Sequence, residues 1–402
     1  MFSVFLVVLS LGLLLALIHK LPLTPEASRK SVHLGMGIIC LTFPWLFSTN
    51  WHVDLLATLA VTTLLAIRWM KPPLGKVLHG IERLSFGELL FPIGVAIVFR
   101  LANGDLGIYF PAISILTFAD TAGALIGKRF GKHIYNTNAG QKSLEGSLAV
   151  FVVSFIIVWI AGLSSDPLTA FLIAVVVALV ATMAEGILGA GTDNLILPIA
   201  VAGLIFFLRE LSSSDLLLRI VLFAVLSLIL FSVRRITSLN GGGLLSATIF
   251  VYLSFALGGP HYLIPPTLLF MIHLATTWRC PALASMEHSA DCIAAIALPG
   301  LVWVTLKHNS DLPAETCFHG FTLTLMAQAA FLHSVTRAHL QLPSGLLIAT
   351  LKISIIGIVC FQWWFTPIAV IALIISIPFT RALKRPEQAI LALLFSLLAL
   401  IP

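Results

Sequence analysis

Between Phe118 and Ser147 the chain reads FADTAGALIGKRFGKHIYNTNAGQKSLEGS, a run with one aspartate, glycines at 123, 127 and 131, and the basic residues Lys128, Arg129, Lys132 and Lys142. Four polar stretches, KSLEGS at the end of this run among them, stand out from their apolar surroundings. ASRKSVHLGMG carries Arg29, Lys30 and His33, and IERLSFGELLFPIG carries Glu82, Arg83 and Glu88. KSLEGS carries Lys142, Ser143 and Glu145, and EGILGAGTDNLILP carries Glu185, Asp193 and Asn194. Carboxylates interleaved with lysine and arginine, beside glycines that permit close approach, suit a metal-bound polyphosphate. Hard oxygen ligands hold Mg²⁺, basic side chains neutralise phosphate oxygens, and N–H groups at loops and helix starts bind the remainder.

Each stretch also has a plainer reading. Arg29 and Lys30 suit the cytoplasmic flank of a membrane helix, and His33 an interfacial imidazole. Gly123, Gly127 and Gly131 recur every four residues, so they share one helix face and suit helix packing. Ser143 fits a helix N-cap, Asp193–Asn194 an ordinary turn, and Glu82 and Glu88 solvated loop acids. Asp120 resists such a reading. A carboxylate inside an apolar helix is costly and is retained where it faces a partner or a polar cavity.

These residues must be positioned by a membrane scaffold. Of the 402 residues, 59% are hydrophobic and only 10% charged, with a mean hydropathy of +1.06. Soluble domains do not carry that balance. The apolar runs lack the strict alternation of a β-barrel, so the fold expected is all-α and polytopic, with about 14–16 transmembrane helices. The expected helices cover 1–18, 31–47, 53–68, 88–100, 106–127, 146–163, 168–186, 196–208 and 215–232 in a first group. A second group covers 243–257, 265–278, 290–306, 318–336, 345–361, 365–380 and 388–401. The first run lacks a basic leader and a small-residue cleavage site, and reads as a retained helix. The cysteines, Cys40, Cys280, Cys292, Cys317 and Cys360, are scattered singly, which argues against a disulfide frame or a zinc site.

Strict alternation of the helices sorts the charges. Lys20, Arg29, Lys30, Lys71, Lys76, Arg83, Lys128, Arg129, Lys132, Lys142, Arg234 and Arg235 fall on one side, against Arg100 and Arg209 on the other. The positive-inside rule then puts the N-terminus outside and every polar cluster at the cytoplasmic face. In the second half, Arg279, Arg337, Arg381, Lys384 and Arg385 follow the same bias, and Lys307 does not. The net charge of +6 is thus a topology signal, and no nucleic-acid partner is expected. The basic, glycine-rich stretch SVRRITSLNGGG (232–243) marks the expected boundary, with domains at 1–232 and 233–402.

Taken together, RKSVH, ERLSFGELLFPIG, DTAGALIGKRFGKH, KSLEGS and GTDNLILP resemble the membrane-embedded polyprenol kinases, over about residues 25–210. That family includes dolichol kinase, phytol kinase and CTP-dependent diacylglycerol kinases, and is distantly related to phosphatidate cytidylyltransferases. The resemblance implies transfer of the γ-phosphate of CTP, or of another nucleoside triphosphate, to an isoprenoid alcohol (phytol, polyprenol or dolichol), with a divalent metal such as Mg²⁺, at the cytoplasmic face of a membrane, most simply a bacterial inner membrane. By position it implies catalytic roles for Asp120, Lys142, Glu145 and His33. It implies nucleotide binding by Arg29, Lys30, Gly127, Lys128, Gly131, Lys142, Ser143 and Asn194, and metal binding by Asp120, Glu145 and Asp193, with Glu82 and Glu88 as further candidates. The expected partners are the lipid alcohol, the nucleoside triphosphate and membrane lipids.

In the second half, GGGLLSATIFVYLSF and the helices after it resemble the phytyl-phosphate kinase family, which acts on isoprenyl monophosphates. AQAAFLHSVTRAH (327–339) stands where that family carries an acidic motif, so this half is expected to be a degenerate or scaffolding domain. A cytidylyltransferase would instead release pyrophosphate, and the SxxKRxxKD-like signature of that branch is not found. A lipid or small-molecule transporter would place its polar groups at mid-membrane, often in inverted repeats; this chain gathers them at one interface and shows no repeat.

Overall fold

The computed structural model describes residues 2–70, 86–137, 140–189, 191–279, 288–340, 354–360 and 385–400. They form two compact units, Met1–Val221 and Leu222–Pro402. The division falls within a helix, upstream of the stretch 232–243 expected to mark it.

The first unit contains α1 (Phe2–Lys20), α2 (Pro25–Leu41), the short α3 (Phe43–Leu46), α4 (Asn50–Met70), α5 (Gly87–Ala102), α6 (Leu106–Ser114) and α7 (Asp120–Phe130). One π-helical turn, Ile115–Ala119, joins α6 to α7 into a single run. Then come strands β1 (Ile134–Thr137) and β2 (Gly140–Ser143), followed by α8 (Leu144–Ile160), α9 (Pro167–Ile187), α10 (Asp193–Leu208) and α11 (Ser213–Ser232), in which the unit ends. The second unit adds α12 (Gly241–Leu253), α13 (Ile264–Arg279), α14 (Ala290–Asn309), α15 (Ala314–Leu340) and α16 (Arg385–Ser396). The expected helices at 345–361 and 365–380 lie largely outside the described residues.

Among the described residues, six helices are long and apolar enough to cross a membrane: Phe2–Lys20, Leu106–Phe130, Pro167–Ile187, Ser213–Ser232, Gly241–Gly258 and Ala290–Lys307. Leu144–Ile160 and Asp193–Leu208 are apolar but shorter. The chain is an all-α, polytopic integral membrane protein, and among the described residues its only sheet is the β1–β2 pair.

Local chemistry sets the helix starts. Thr24 accepts the Ala27 amide and Pro25 opens α2 with its fixed φ, so this helix begins six residues before the expected position 31. Arg29 and Lys30 therefore ride on the same helix as His33 rather than on the loop before it. Asp105 caps α6 through the Gly107 amide, Asp166 caps α9 through Thr169, and Asn240 caps α12 through Gly243. The expected inner loop at 128–145 is instead the end of α7, an antiparallel pair in register Ile134↔Ser143, and the start of α8.

The core of the first unit forms around the run from α6 to α7, where Ala112, Ile113, Ile115, Leu116 and Ala119 are fully buried. Ile173, Val177, Leu197, Ile205 and Leu208 from α9 and α10 complete it. In the second unit, Trp303, Val304, Phe321, Leu323, Leu325 and Met326 from α14 and α15 form the centre.

Candidate functional site

The π turn at Ile115–Ala119 lies immediately before Asp120. A π turn displaces the hydrogen-bond ladder by one residue and leaves carbonyls open to other donors. Here His33 Nε2 lies 3.1 Å from the Leu116 carbonyl, inside that turn. The carbonyl is an acceptor only, so this nitrogen carries the proton. The same nitrogen is 3.6 Å from Asp120 Oδ2, and the ring meets Phe91 edge-on at 5.2 Å.

Lys30, one turn before His33 on α2, donates to Asp120 Oδ2 at 2.7 Å. Asp120 is only 8% exposed, so this partner compensates its ionisation within the bundle. A second pair faces the same region. Lys142, on β2, donates to the carboxylate of Glu185 and also, at 3.0 Å, to the Glu185 backbone carbonyl near the end of α9. Burial works against the Lys142 ammonium, but the neighbouring carboxylates, Glu185 foremost and then Asp120 and Asp193, together outweigh it and hold its pKa above the ordinary lysine value. Lys142 is therefore a cation throughout the physiological range.

Asp193, at the first position of α10, sits where the charges of Asp120, Lys142 and Lys30 all reach it. The cluster thus draws Lys30 and His33 from α2, Asp120 from α7, Lys142 from β2, Glu185 from α9 and Asp193 from α10. With His33 neutral, its formal charge is two cations against three carboxylates, an excess of one negative charge. Hard oxygens in slight excess over ammonium groups suit a divalent cation carrying phosphate. Among the described residues, no three carboxylates, imidazoles or thiols close into a ready-made metal centre.

Other residues singled out by the sequence have different surroundings. Glu145 is turned to the residues just before β1: its carboxylate meets His133 Nδ1 at 2.7 Å and accepts the Lys132 amide at 3.0 Å. Ser143 caps α8, accepting the Gly146 amide at 3.1 Å. Gly127 and Gly146 face each other where α7 crosses α8. A methyl on Gly146 would stand 2.9 Å from the Gly123 carbonyl oxygen and 3.1 Å from the Gly127 Cα. Gly131 packs against Ser143 in the same seam. Asn194 donates to the Gly87 carbonyl at 2.9 Å, joining the starts of α10 and α5. Arg29 and Lys128 are exposed, and Glu88 is half-buried in the first turn of α5. Glu82 lies outside the described residues.

Glu185 was noted in the sequence but given no role there. Its signal was the one that singled out Asp120, an acid within an apolar helical run.

The fold and the site together define an integral membrane protein with a buried cluster of paired charges built from helix ends and one short hairpin. A phytol kinase from Synechocystis sp. (strain ATCC 27184 / PCC 6803 / Kazusa) is 31% identical to the chain over 194 residues, which cover 46% of this chain and 81% of that relative. The chain belongs to the polyprenol and phytol kinase-like family of lipid-alcohol kinases. No family model matches the chain, and no solved structure matches it.

Proposed function

We propose that the protein transfers the γ-phosphate of CTP to an isoprenoid alcohol of the phytol or polyprenol type, at the cytoplasmic face of the membrane. The observation that carries this reading is the junction of Lys30–Asp120 and Lys142–Glu185 beside Asp193. Phosphoryl transfer asks a protein for positioning and charge neutralisation more than for covalent chemistry, and this cluster supplies both. The similarity to a phytol kinase points the acceptor toward an isoprenoid alcohol.

In this mechanism Lys142 and Lys30 neutralise phosphate oxygens, with the exposed Arg29 and Lys128 guiding the nucleotide inward. Asp120 and Asp193 fit a hard divalent cation such as Mg²⁺, which would shield the transferred group when bound. His33 keeps its proton on the nitrogen facing Leu116 and Asp120, and so fixes the side of Asp120 that faces α2. Glu145 and Ser143 hold the strand pair on α8 and thereby set where Lys142 emerges. The glycine seam lets α7 and α8 approach closely enough to bring Asp120 and Lys142 to one site. The second unit is proposed as a scaffold without a reaction of its own.

The test is product identity. Purified protein in proteoliposomes receives CTP labelled at the γ-position, with phytol, a polyprenol or diacylglycerol. The expected outcome is label in a phytyl or polyprenyl monophosphate, with CDP as co-product. Release of pyrophosphate with CMP on the lipid would identify a cytidylyltransferase. Lipid flux without nucleotide turnover would identify a transporter.

A further inference from the structure

We infer that Glu185 is a positioning residue for Lys142, and that the two act as one unit in gripping the nucleotide phosphates. The inference deepens the proposed function, since it rests on Lys142 meeting those phosphates.

Three observations carry it. First, Glu185 holds the ammonium twice, through its side-chain carboxylate and through its own backbone carbonyl. An ammonium has three donors, and these bonds occupy two of them, which leaves one N–H for an incoming oxygen. Second, Glu185 is only 7% exposed and lies in the last turn of α9, whose final carbonyls carry partial negative charge. A buried carboxylate at a helix C-terminus is disfavoured by burial and by the helix dipole alike, so the lysine is what makes the position tenable. Third, the charges of Asp120 and Asp193 also reach Lys142.

The first two observations fix the role, and the third adds to them. A free lysine side chain is flexible, and fixing it costs rotamer entropy. Glu185 supplies that fixing through two bonds, against the competing pull of the Asp120 and Asp193 charges on the ammonium. Glu185 keeps the ammonium on the α9 side. The site then retains two poles, an ammonium for phosphate and an acid pair for the counter-cation. Lys30 needs no such tether, because it is bonded directly to Asp120 from α2.

A purely structural strap between β2 and α9 would give the same contacts, so the test separates positioning from strapping. The full chain in lipid nanodiscs is assayed for γ-phosphate transfer from CTP to phytol, with wild type, Glu185→Gln, Lys142→Ala and the double variant. The expected result for Glu185→Gln is a KM for CTP raised by about 10-fold, with the KM for phytol unchanged and kcat within about 3-fold. The double variant should be no worse than Lys142→Ala alone, because the two residues act through one contact. Should Glu185→Gln fail to fold, Glu185→Asp carries the same comparison of the two KM values.

Wild-type kinetics in Glu185→Gln alongside a crippled Lys142→Ala would overturn the inference and leave the proposed function standing. Multiplying losses in the double variant would overturn it too, as would equal effects on both substrates. A fully active Lys142→Ala would overturn the underlying reading as well.

Discussion

The two units solve the problem of buried polarity in opposite ways. In the first, the buried polar groups include Asp120 and Glu185, each paired with a lysine brought from another element. In the second, the buried polar groups among the described residues are neutral: serines, threonines and Gln328. Gln328 donates to the Ala295 carbonyl at 3.0 Å, and Trp303 Nε1 donates to Ser396 Oγ at 2.6 Å. Neutral bonds of that kind tie helices together, whereas buried ion pairs are weak sources of stability and mark places where charge is used. The contrast matches the sequence around Gln328, where AQAAFLHSVTRAH carries no carboxylate. It teaches that, among the described residues, buried charge belongs to the first unit and neutral buried polarity to the second.

This contrast can be broken by mutation. Trp303→Ala should have the largest energetic effect, because Trp303 is 1% exposed at the centre of the second unit. A loss of about 3–5 kcal/mol in stability is expected, read as a lower midpoint of thermal unfolding, with unchanged transfer per folded molecule. Reduced turnover in the folded fraction would mean that the second unit enters the reaction. Lys142→Ala should strike the reaction itself. Transfer per folded molecule should fall about 10²–10³-fold, as when one charge-stabilising donor is removed from an active site, and the unfolding midpoint should fall as well, because the buried Glu185 carboxylate loses its partner.

Gly146→Ala should cost about 1–3 kcal/mol, since the new methyl meets the Gly123 carbonyl and the backbone of Gly127. Activity should fall with it, because the seam sets the distance between α7 and β2; a neutral result would show that α7 and α8 can part without consequence. Glu145→Gln should have the smallest effect. Losing its charge-assisted contact with His133 should lower kcat/KM by no more than about 5-fold, the worth of roughly one hydrogen bond. A loss as deep as that of Lys142→Ala would move Glu145 into the reacting centre.

Much of the scaffold was legible because hydropathy and capping chemistry are local. The acid in DTAGALIG stood out against its apolar run, and Ser143 was readable as a cap from the residues beside it. What escaped was non-local. The pairing of Ile134–Thr137 with Gly140–Ser143 involves two four-residue strands with no apolar alternation to announce them. Glu185 gained its meaning from Lys142, 43 residues away, and no spacing rule connects them. The start of α2 was missed because the apolar run begins later than the Thr24–Pro25 cap. The glycines at 123, 127 and 131 fitted both a ligand loop and a helix seam; in the structure they lie against Val150, Ser143 and Gly146.

The central claim is that Asp120, held by Lys30 and touched by His33, is indispensable to phosphoryl transfer. The direct test compares wild type with Asp120→Asn in proteoliposomes, using γ-labelled nucleotides and a panel of lipid alcohols, with folding monitored in parallel. The account predicts labelled isoprenoid monophosphate from wild type and none above background from a folded Asp120→Asn protein. Full transfer by that variant would contradict it.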